Sequence, residues 1–333
     1  MTDRITLAHG NGGRFMRALI DEVLAPALGP VAPDTRLDAA PFTAAAPHGL
    51  VVTTDGFTVQ PLEFPGGDLG SLAVHGTVND LAVAGATPLA LTLGAVIEEG
   101  IETELLRRLF ASFGRAAAEA GVRVLAGDTK VVPHGHGGGL YLTVTGIGAA
   151  RRTGLGLDAI RPGDRVLVSG SVGDHGIAVM FAREQFDLKG DVMSDSAPVI
   201  ELAAALDKVP GLRFLRDPTR GGLATVAHEI AFDRAATVRL DEPLLPLRPQ
   251  VIAVCEMLGY DPLFLACEGR CVAVVAPEDA DAALAAWRAL PEGRDAAIVG
   301  TIEAGPPRVV MTTELGGERI LPELEDDPLP RIC

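Results

Sequence analysis

The sequence of 333 residues contains little lysine, few aromatic residues and a deficit of positive charge. Of its 28 basic residues only three are lysines, and aromatic residues make up 4% of the chain. The 44 acidic side chains outnumber the basic ones and give a formal net charge of −16. Because nucleic-acid phosphates and anionic lipid surfaces repel such a chain, we expect neither nucleic acid nor a membrane as a partner.

Long apolar runs and export signals are also missing. No stretch of about 18 residues is apolar and uncharged throughout, so the sequence predicts no membrane span. No basic segment precedes an apolar one at the N-terminus, so we expect no secretory signal and a cytoplasmic protein. The four cysteines form no C-x-x-C pair, and we expect reduced thiols. In an extended segment Cys267 and Cys271 would lie roughly 13 Å apart, which predicts neither a disulfide nor a zinc site there.

The common nucleotide-binding motifs are absent as well. No Gly-Lys-Ser/Thr occurs, which excludes a Walker A loop, and no G-x-G-x-x-G follows a strand and opens a helix. A nucleotide would therefore be bound by other groups, such as carboxylates that hold its metal ion.

The composition favours a folded, turn-rich protein. Apolar residues make up 48% of the chain and the mean hydropathy is +0.28, which excludes general disorder. At roughly 150 residues per domain the length predicts about two domains, and both halves mix helical and strand-like segments, which predicts an α+β fold. We place a glycine-containing leader at 1–42, an N-terminal α+β domain at 43–155, a C-terminal α+β domain at 156–320 and a tail at 321–333.

Several predicted elements carry candidate site residues. The strands among them lie at 49–54, 57–60, 122–126 and 263–266. A turn at Asp55-Gly56 joins the first two, the third ends before Lys130, and the fourth leads to Glu268. A helix at 69–84 carries Asp80, and an amphipathic helix at 102–121 is the clearest element of all.

Four aspartates are the main candidates for chemistry: Asp55, Asp80, Asp128 and Asp217. Mg²⁺ takes carboxylate oxygens together with nucleotide phosphate oxygens, so acids from separate turns could gather two ions around a triphosphate. Structural interpretations stand beside this one. Asp55-Gly56 alone is typical of a hairpin turn, and Asp217-Pro218 is typical of a helix N-cap followed by proline. Asp80, on an otherwise apolar helix, needs a partner or a metal.

Lys130 and Glu268 are candidates for catalysis. A lysine in an arginine-rich chain, directly after Asp128-Thr129, suggests a compact charge for a phosphate or carbonyl oxygen; a solvated charge on an edge strand is the alternative. Glu268 precedes a glycine and suits a general base, or it simply faces solvent.

Glycine-rich turns occur at 9–13, 133–139 and 169–176. The last of them joins a strand to a helix, a geometry that suits an anion at a helix N-terminus. A plain loop in which Asp174 caps the helix is the alternative. We interpret the histidines of the second turn, His134 and His136, as part of a surface turn in preference to a metal site.

The tail beyond Leu321 contains three prolines and four acids and ends in Cys333. This composition predicts a solvated segment that could extend roughly 40 Å. A thiol at the end of such a segment is what a covalent carrier arm requires; an incidental terminal residue is the alternative.

Together these segments resemble the hydrogenase maturation factor HypE family, the carbamoyl dehydratases of the superfamily that includes aminoimidazole ribonucleotide synthetase and selenophosphate synthetase. The resemblance spans nearly the whole chain and rests on His9-Gly10-Asn11-Gly12-Gly13, Thr54-Asp55-Gly56-Phe57, Val78-Asn79-Asp80-Leu81, Ala126-Gly127-Asp128-Thr129-Lys130, Ser169–Gly176, Asp217-Pro218-Thr219-Arg220-Gly221-Gly222, Glu268-Gly269 and Pro330-Arg331-Ile332-Cys333. The aspartates identify only the superfamily, whereas the terminal Pro-Arg-Ile-Cys is specific. Cys267 departs from the pattern, which has Asn before Glu-Gly.

The resemblance implies a two-domain, PurM-like (aminoimidazole ribonucleotide synthetase-like) fold whose N-terminal domains pair into a β-barrel homodimer core. It implies that ATP and Mg²⁺ bind in the cleft, with the leader closing over them. The implied metal ligands are Asp55, Asp80, Asp128 and Asp217. The implied ATP-binding residues are Gly10, Asn11, Gly12, Gly13, Asp55, Asp80, Asp128, Thr129, Gly173, His175 and Gly176. The implied catalytic residues are Cys333, Lys130 and Glu268.

The implied reaction is the ATP-dependent dehydration of a carbamoyl group on the Cys333 sulfur, which a HypF-type partner would attach. ATP would convert the carbamoyl oxygen into a phosphate. Glu268 would remove the amide protons while Lys130 stabilises charge, which leaves Cys333–S–C≡N. The cyanide would pass to iron on a HypC–HypD scaffold and become a ligand of the [NiFe]-hydrogenase centre.

Two alternatives stay open at this point. One is another ATP-dependent enzyme of the superfamily that activates an oxygen on a small molecule. A selenophosphate synthetase would carry a reactive Cys or selenocysteine near the N-terminus, and no cysteine precedes Cys255. The other is a non-catalytic ATP-binding scaffold whose Cys333 tethers a partner or an iron.

Overall fold

The computed structural model describes residues 3–10, 13–34, 40, 42–183 and 190–324, and these form two compact units. Unit 1 comprises the described residues up to 81 together with 86–150. Unit 2 comprises 82–85 and the described residues from 151 onward. The domain boundaries stated above stay predictions.

Unit 1 combines a helical N-terminal segment, two long helices and a sheet. Its α-helices are α1 (Arg14–Leu19), α2 (Ala25–Leu28), α3 (Leu69–Val83), of which residues 82 and 83 belong to unit 2, and α4 (Thr103–Glu119). A π-helical turn, Ile20–Leu24, joins α1 to α2. Its strands are β1 (Leu50–Phe57), β2 (Glu63–Phe64), β3 (Gly67–Asp68), β4 (Ala86–Glu98), β5 (Arg123–Val132) and β6 (Leu140–Ala150). The predicted helices at 69–84 and 102–121 are confirmed as α3 and α4.

The main sheet of unit 1 has the order β1-β6-β4-β5, with β4 and β5 parallel and the other pairs antiparallel. One face is covered by helices: Gly146 of β6 lies so close to Thr77 of α3 that a Cβ there would be 2.7 Å from the threonine methyl. The opposite face is open, and along it Leu50, Val52 and Tyr141 are exposed. This alternation is the period-2 pattern of a sheet with one buried face.

Unit 2 is a seven-stranded sheet with helices and a core on each face. Its helices are α5 (Asp174–Ala182), α6 (Ile200–Ala205), α7 (Gly222–Arg234), α8 (Pro249–Leu258) and α9 (Ala280–Arg288). Its strands are β7 (Arg165–Val168), β8 (Leu212–Arg216), β9 (Ala236–Asp241), β10 (Val272–Val275), β11 (Ala297–Ala304), β12 (Arg308–Thr312) and β13 (Glu318–Leu321), in the order β13-β12-β9-β11-β7-β10-β8.

Strand β7 shows how one sheet supplies two cores. Val166 and Val168 point into the core that contains the apolar residues of α7, whereas Leu167 points into the core on the other face. Successive side chains of a strand project from opposite faces of the sheet. A strand of consecutive apolar residues is therefore buried on both of its faces. In the second core the indole nitrogen of Trp287 donates a hydrogen bond to the carbonyl of Leu202 (2.9 Å).

The α+β prediction is confirmed, but three strand predictions are wrong. Asp55-Gly56 is not a turn, because β1 pairs with β6 along its whole length, Asp55 opposite Val144. The strand predicted to end at residue 126 continues to Val132, because it pairs with β4, which is 13 residues long. Residues 263–266 do not form a strand: Pro262–Phe264 is a 3-10 helix capped by the Asp261 side chain.

Among the helices of the described ranges, none combines the length and the apolar composition that crossing a lipid bilayer requires.

Candidate active site

In unit 1 the structure brings Asp80 to the covered face of β1. The Thr53 hydroxyl of β1 donates a hydrogen bond to the Asp80 carboxylate of α3, with 2.6 Å between Oγ1 and Oδ2. Asp55 lies two residues beyond Thr53 in the same strand and therefore points to the same face. The partner that Asp80 needs on its apolar helix is thus a threonine, and the two carboxylates lie on one side of the sheet.

Asp128 and Lys130 point to the other side of that sheet. Asp55 pairs across the ladder with Val144, Val144 with Leu93, and Leu93 with Gly127. Cross-strand partners point to the same face, so Asp128, one residue after Gly127, points to the opposite face. Lys130 lies two residues after Asp128 in the same strand and therefore points to the same face, and both side chains are exposed. Lys130 lies inside β5, so its predicted position at a strand end is wrong.

An apolar groove of about 150 Å³ lies between the N-terminal helical segment, α4 and strands β4 and β5. Met16, Leu28 and Phe110 contribute to its walls, and Asp128 and Thr129 contribute to its lining. In the part of the chain that the structure describes, the buried Oγ1 of Thr129 has no hydrogen-bond partner. An unpaired hydroxyl beside apolar walls suits a ligand that is part polar and part apolar.

The leader residues meet the same strand. Gly10 ends a 3-10 helix, and a Cβ there would be 2.8 Å from the Cβ of Val131, so only glycine permits this approach. Gly13 precedes α1 as its N-cap. Asn11 and Gly12, also predicted to bind ATP, lie outside the described residues.

In unit 2 the glycine-rich turn holds a buried carboxylate. Gly173 adopts a left-handed backbone (φ 86°) and caps α5, so the alternative in which Asp174 caps the helix is wrong; Asp174 is the first helical residue. The Asp174 carboxylate is fully buried, accepts a hydrogen bond from the Ser171 hydroxyl, and lies 2.9 Å from Nε of Arg248. This ion pair holds the turn in place.

His175, the next residue, is a buried neutral imidazole. Its Nδ1 lies 2.8 Å from the Ser194 hydroxyl. Burial lowers the pKa of His175 to about 3, because the charged ring would lose its hydration. The ring therefore stays uncharged at neutral pH. Gly176 follows within α5, and its amide donates to the carbonyl of Ala266.

Glu268 lies in an irregular loop and is 3% exposed, so the alternative that it simply faces solvent is wrong. Its backbone amide donates to Oδ1 of Asp195 (3.2 Å). The next residue, Gly269, packs so tightly that a Cβ would be 1.9 Å from the Asp195 carbonyl oxygen. Nε of Arg270 lies 3.5 Å from Oδ2 of Asp195. Burial raises the pKa of Asp195, and Arg270 opposes this effect.

Cys267 joins three of the predicted site segments. Its Sγ accepts a hydrogen bond from the Gly173 amide (3.2 Å), and its own amide donates to the carbonyl of Pro218 (3.0 Å). The turn at 169–176, the segment after Asp217 and the Glu268 loop therefore meet at this residue. The sequence marks Cys267 only as a departure from the family pattern and as a cysteine too far from Cys271 for a disulfide, and it carries no local signal for the contacts with Gly173 and Pro218.

Asp217 is not a helix N-cap. Helix α7 begins at Gly222, and its cap is Gly221 in a left-handed conformation (φ 70°). Asp217 instead lies in the irregular segment between β8 and α7 and is buried.

Within the described ranges, no group of three or more His, Cys, Asp or Glu side chains is arranged to hold a metal ion. The metal role of the four aspartates therefore stays a prediction. The same holds for Cys333, which lies outside the described residues.

The turn at 133–139, which carries His134 and His136, is built around the carboxylate of Glu98. The Glu98 carboxylate accepts hydrogen bonds from the amides of Gly135 (2.6 Å) and Gly139 (2.8 Å) and lies 3.3 Å from Nδ1 of His134. The turn is thus organised around a carboxylate.

Comparison with known proteins agrees with this architecture. The family "AIR synthase related protein, N-terminal domain" matches residues 37–150, and "AIR synthase related protein, C-terminal domain" matches residues 161–312. The carbamoyl dehydratase HypE of Azotobacter vinelandii is 47% identical over 99% of this chain and 97% of its own length.

Solved structures give the same result. A HypE hydrogenase maturation protein in complex with ATP matches with a TM-score of 0.92 and 43% identity, over 98% of this chain and 99% of that one. A chain of a HypE–HypF complex matches with a TM-score of 0.79 and 42% identity, over 82% and 90% of the two chains. The predicted PurM-like fold is confirmed, and the chain belongs to the carbamoyl dehydratase HypE family of AIR synthase related proteins.

Proposed function

We propose that the chain is an ATP-dependent carbamoyl dehydratase that converts an S-carbamoyl group on its own Cys333 into a thiocyanate. The product supplies cyanide ligands for the iron of a [NiFe]-hydrogenase during maturation. The observation that carries this proposal is the similarity, over 99% of the chain, to a carbamoyl dehydratase HypE in a sequence that contains Pro330-Arg331-Ile332-Cys333. ATP is the cosubstrate, in keeping with the ATP complex of the structural neighbour.

The donor set suits the magnesium ion that accompanies ATP. Mg²⁺ prefers oxygen ligands and needs few from the protein when phosphates complete its shell. Asp55, Asp80, Asp128 and Asp217 offer such oxygens, and the Thr53 hydroxyl orients one oxygen of Asp80. When bound, ATP with Mg²⁺ supplies the phosphoryl group that turns the carbamoyl oxygen into a leaving group.

The chain's own residues hold the carbon and move the protons. The carbamoyl carbon stays bonded to the Cys333 sulfur while its C–O bond breaks and both protons leave the nitrogen. The net change is the loss of one water, which converts the S-carbamoyl group into a thiocyanate. Glu268, held in place by its buried loop, accepts protons from the nitrogen. Lys130 offsets the negative charge on the departing oxygen as a compact cation.

Two partners act before and after this step. A HypF-type carbamoyltransferase loads the Cys333 thiol, which agrees with the existence of a HypE–HypF complex among the structural neighbours. A HypC–HypD iron scaffold takes the cyanide, and a two-electron reductant on that partner is needed there, because splitting the S–C bond of the thiocyanate into a thiolate and a cyanide ligand consumes two electrons.

We further propose a homodimer that forms through the open face of the unit 1 sheet. Leu50 and Val52 are 55% and 63% exposed there, and Tyr141 is 38% exposed. Exposed apolar residues along a sheet face are typical of a covered surface, and a second copy offers the same face across a two-fold axis. Asp128 and Lys130 point from this face, so the second copy would complete the site to which they contribute.

The dimer has two tests. Val52→Glu should give a monomer by light scattering, whereas Leu315→Glu, at a fully exposed residue of unit 2, should leave association unchanged. Mixing inactive Asp128→Asn protein with inactive Lys130→Ala protein should restore dehydration if the two residues, both on the open face, serve one site from different subunits. A mixture that stays inactive although mixed dimers form would refute this arrangement.

The reaction itself is tested by intact-mass spectrometry. The protein is incubated with a HypF-type carbamoyltransferase, carbamoyl phosphate, ATP and Mg²⁺. A carbamoyl adduct should form on Cys333 and lose one water only when ATP is available to this chain.

Two variants serve as controls. Glu268→Gln should form the adduct and retain it without loss of water. Cys333→Ala should form none. If Cys333→Ala kept substrate-dependent ATP turnover, the chain would instead activate an oxygen on a small molecule, as other enzymes of the superfamily do.

A further inference from the structure

Helix α7 carries a buried histidine that contacts the chain where the tail begins. His228 is 6% exposed, and its Nε2 lies 3.0 Å from the carbonyl oxygen of Pro322. A carbonyl oxygen can only accept, so Nε2 carries the proton and donates. Pro322 directly follows Leu321, the fully buried last residue of β13. The bond therefore acts on the first residue after the sheet ends.

The contact also sets a direction for the chain. Two residues after Pro322, the side chain of Leu324 lies against Gly221, 3.5 Å from where a Cβ of that glycine would be. Gly221 is the N-cap of α7 and lies about 10 Å along the helix axis from His228. The described part of the tail thus runs antiparallel to α7, toward the loop that carries Asp217.

The surroundings of His228 distinguish it from a histidine that only fills a core. Among the described residues, its Nδ1 has no hydrogen-bond partner, so the donation to Pro322 is the ring's single polar contact there. Its ring stacks on Phe232, with 6.0 Å between centroids, and Phe232 is itself 50% exposed. The ring therefore stands at the edge of the core, between α7 and the tail.

We propose that His228 is a positioning residue that holds the base of the C-terminal arm and directs it toward the Asp217–Gly222 loop. This rests on the proposed function, because it concerns how the Cys333 sulfur is delivered to the site. From Leu324 nine residues lead to Cys333, a reach of at most roughly 30 Å. Fixing the base of so short an arm raises the effective concentration of its end near the loop.

Two variants separate the hydrogen bond from the ring. His228→Phe keeps an aromatic ring to stack on Phe232 and removes the donor. His228→Gln restores an N–H at a similar reach. Unfolding in urea, followed through the buried Trp287, shows whether both variants keep native stability.

The first measurement does not depend on activity. A glutamate-specific protease should cleave after Glu323 about two- to tenfold faster in His228→Phe than in the native chain, the range expected for the loss of one hydrogen bond. His228→Gln should be cleaved at about the native rate. Equal cleavage rates for all three proteins would refute the hold on the arm, whether or not the chain is a dehydratase.

The second measurement compares the attached arm with a free one. Water loss from carbamoylated Cys333 in a single turnover should slow about two- to tenfold in His228→Phe and recover in His228→Gln. A carbamoylated peptide of residues 325–333, added to chains with Cys333→Ala, should react equally with all three. Equal slowing of peptide and attached arm would overturn the proposal, since His228 would then act on the site. No water loss by the native chain would refute the proposed function and leave the protease result standing.

Discussion

The backbone amide of Glu268 donates a hydrogen bond to the carboxylate of Asp195 across 3.2 Å. Asp195 is buried between this amide and the guanidinium of Arg270, which belongs to the same loop as Glu268. The backbone position of the proposed base is therefore linked to a buried ion pair.

Asp195→Ala should lower both stability and rate. Removing one partner of a buried ion pair leaves Arg270 poorly compensated and costs about 3 kcal/mol in the free energy of unfolding. Asp195→Asn keeps an acceptor for the Glu268 amide and should cost less. Urea unfolding followed by Trp287 fluorescence measures the first effect, and single-turnover water loss the second. Native stability in Asp195→Ala would contradict the role assigned to the pair.

A thiol reagent should label the native chain at one place. Cys255, Cys267 and Cys271 are buried free thiols. Burial raises the pKa of Cys255 to about 12, and burial likewise raises the pKa of the other two. At neutral pH the thiolate fraction of Cys255 is then roughly a thousandfold below that of an ordinary thiol. Peptide mapping after iodoacetamide should find Cys333 alkylated in the native protein and all four cysteines alkylated in urea. Early labelling of Cys267 in the native protein would show that its loop opens.

Stability should fall as the pH drops below about 6.5. Burial lowers the pKa of His75 to about 4 and that of His175 to about 3. Below the ordinary pKa the unfolded chain binds protons that the folded chain does not, so stability is complete above pH 6.5 and is lost toward the folded pKa values. At pH 5 the loss is about 2 kcal/mol for each histidine. Urea unfolding at pH 7, 6 and 5 measures it, with His75→Asn as the control that removes one titrating ring. A flat profile would contradict the neutral buried state.

Thr53→Val should weaken the binding of magnesium at the site without removing a carboxylate. The variant is nearly isosteric but lacks the hydroxyl that donates to Oδ2 of Asp80. A hydrogen bond to a charged group is worth about 1.5 to 3 kcal/mol, so the Mg²⁺ concentration for half-maximal rate should rise about ten- to hundredfold. Thr54→Val, whose side chain points to the other face, serves as the matched control. An unchanged Mg²⁺ requirement in Thr53→Val would place Asp80 outside the metal site.

The sequence indicated the family and the chemistry because these depend on residue types at fixed spacings. The aspartates in their short motifs, Glu268 before a glycine and the terminal Cys333 can be read without coordinates. Amphipathic helices such as α4 could also be predicted, since their apolar residues repeat at 3 and 4 positions within one short segment.

The tertiary structure decided which faces these residues occupy and what holds them. Asp55 was predicted in a turn, but pairing with β6 extends β1 through it, and the register of four strands then places Asp55 and Asp128 on opposite faces. The contacts of Cys267 with Gly173, of Glu268 with Asp195 and of His228 with Pro322 join residues 73 to 94 positions apart. No local periodicity encodes such contacts, because they depend on how separate elements pack, and that packing is a property of the whole chain.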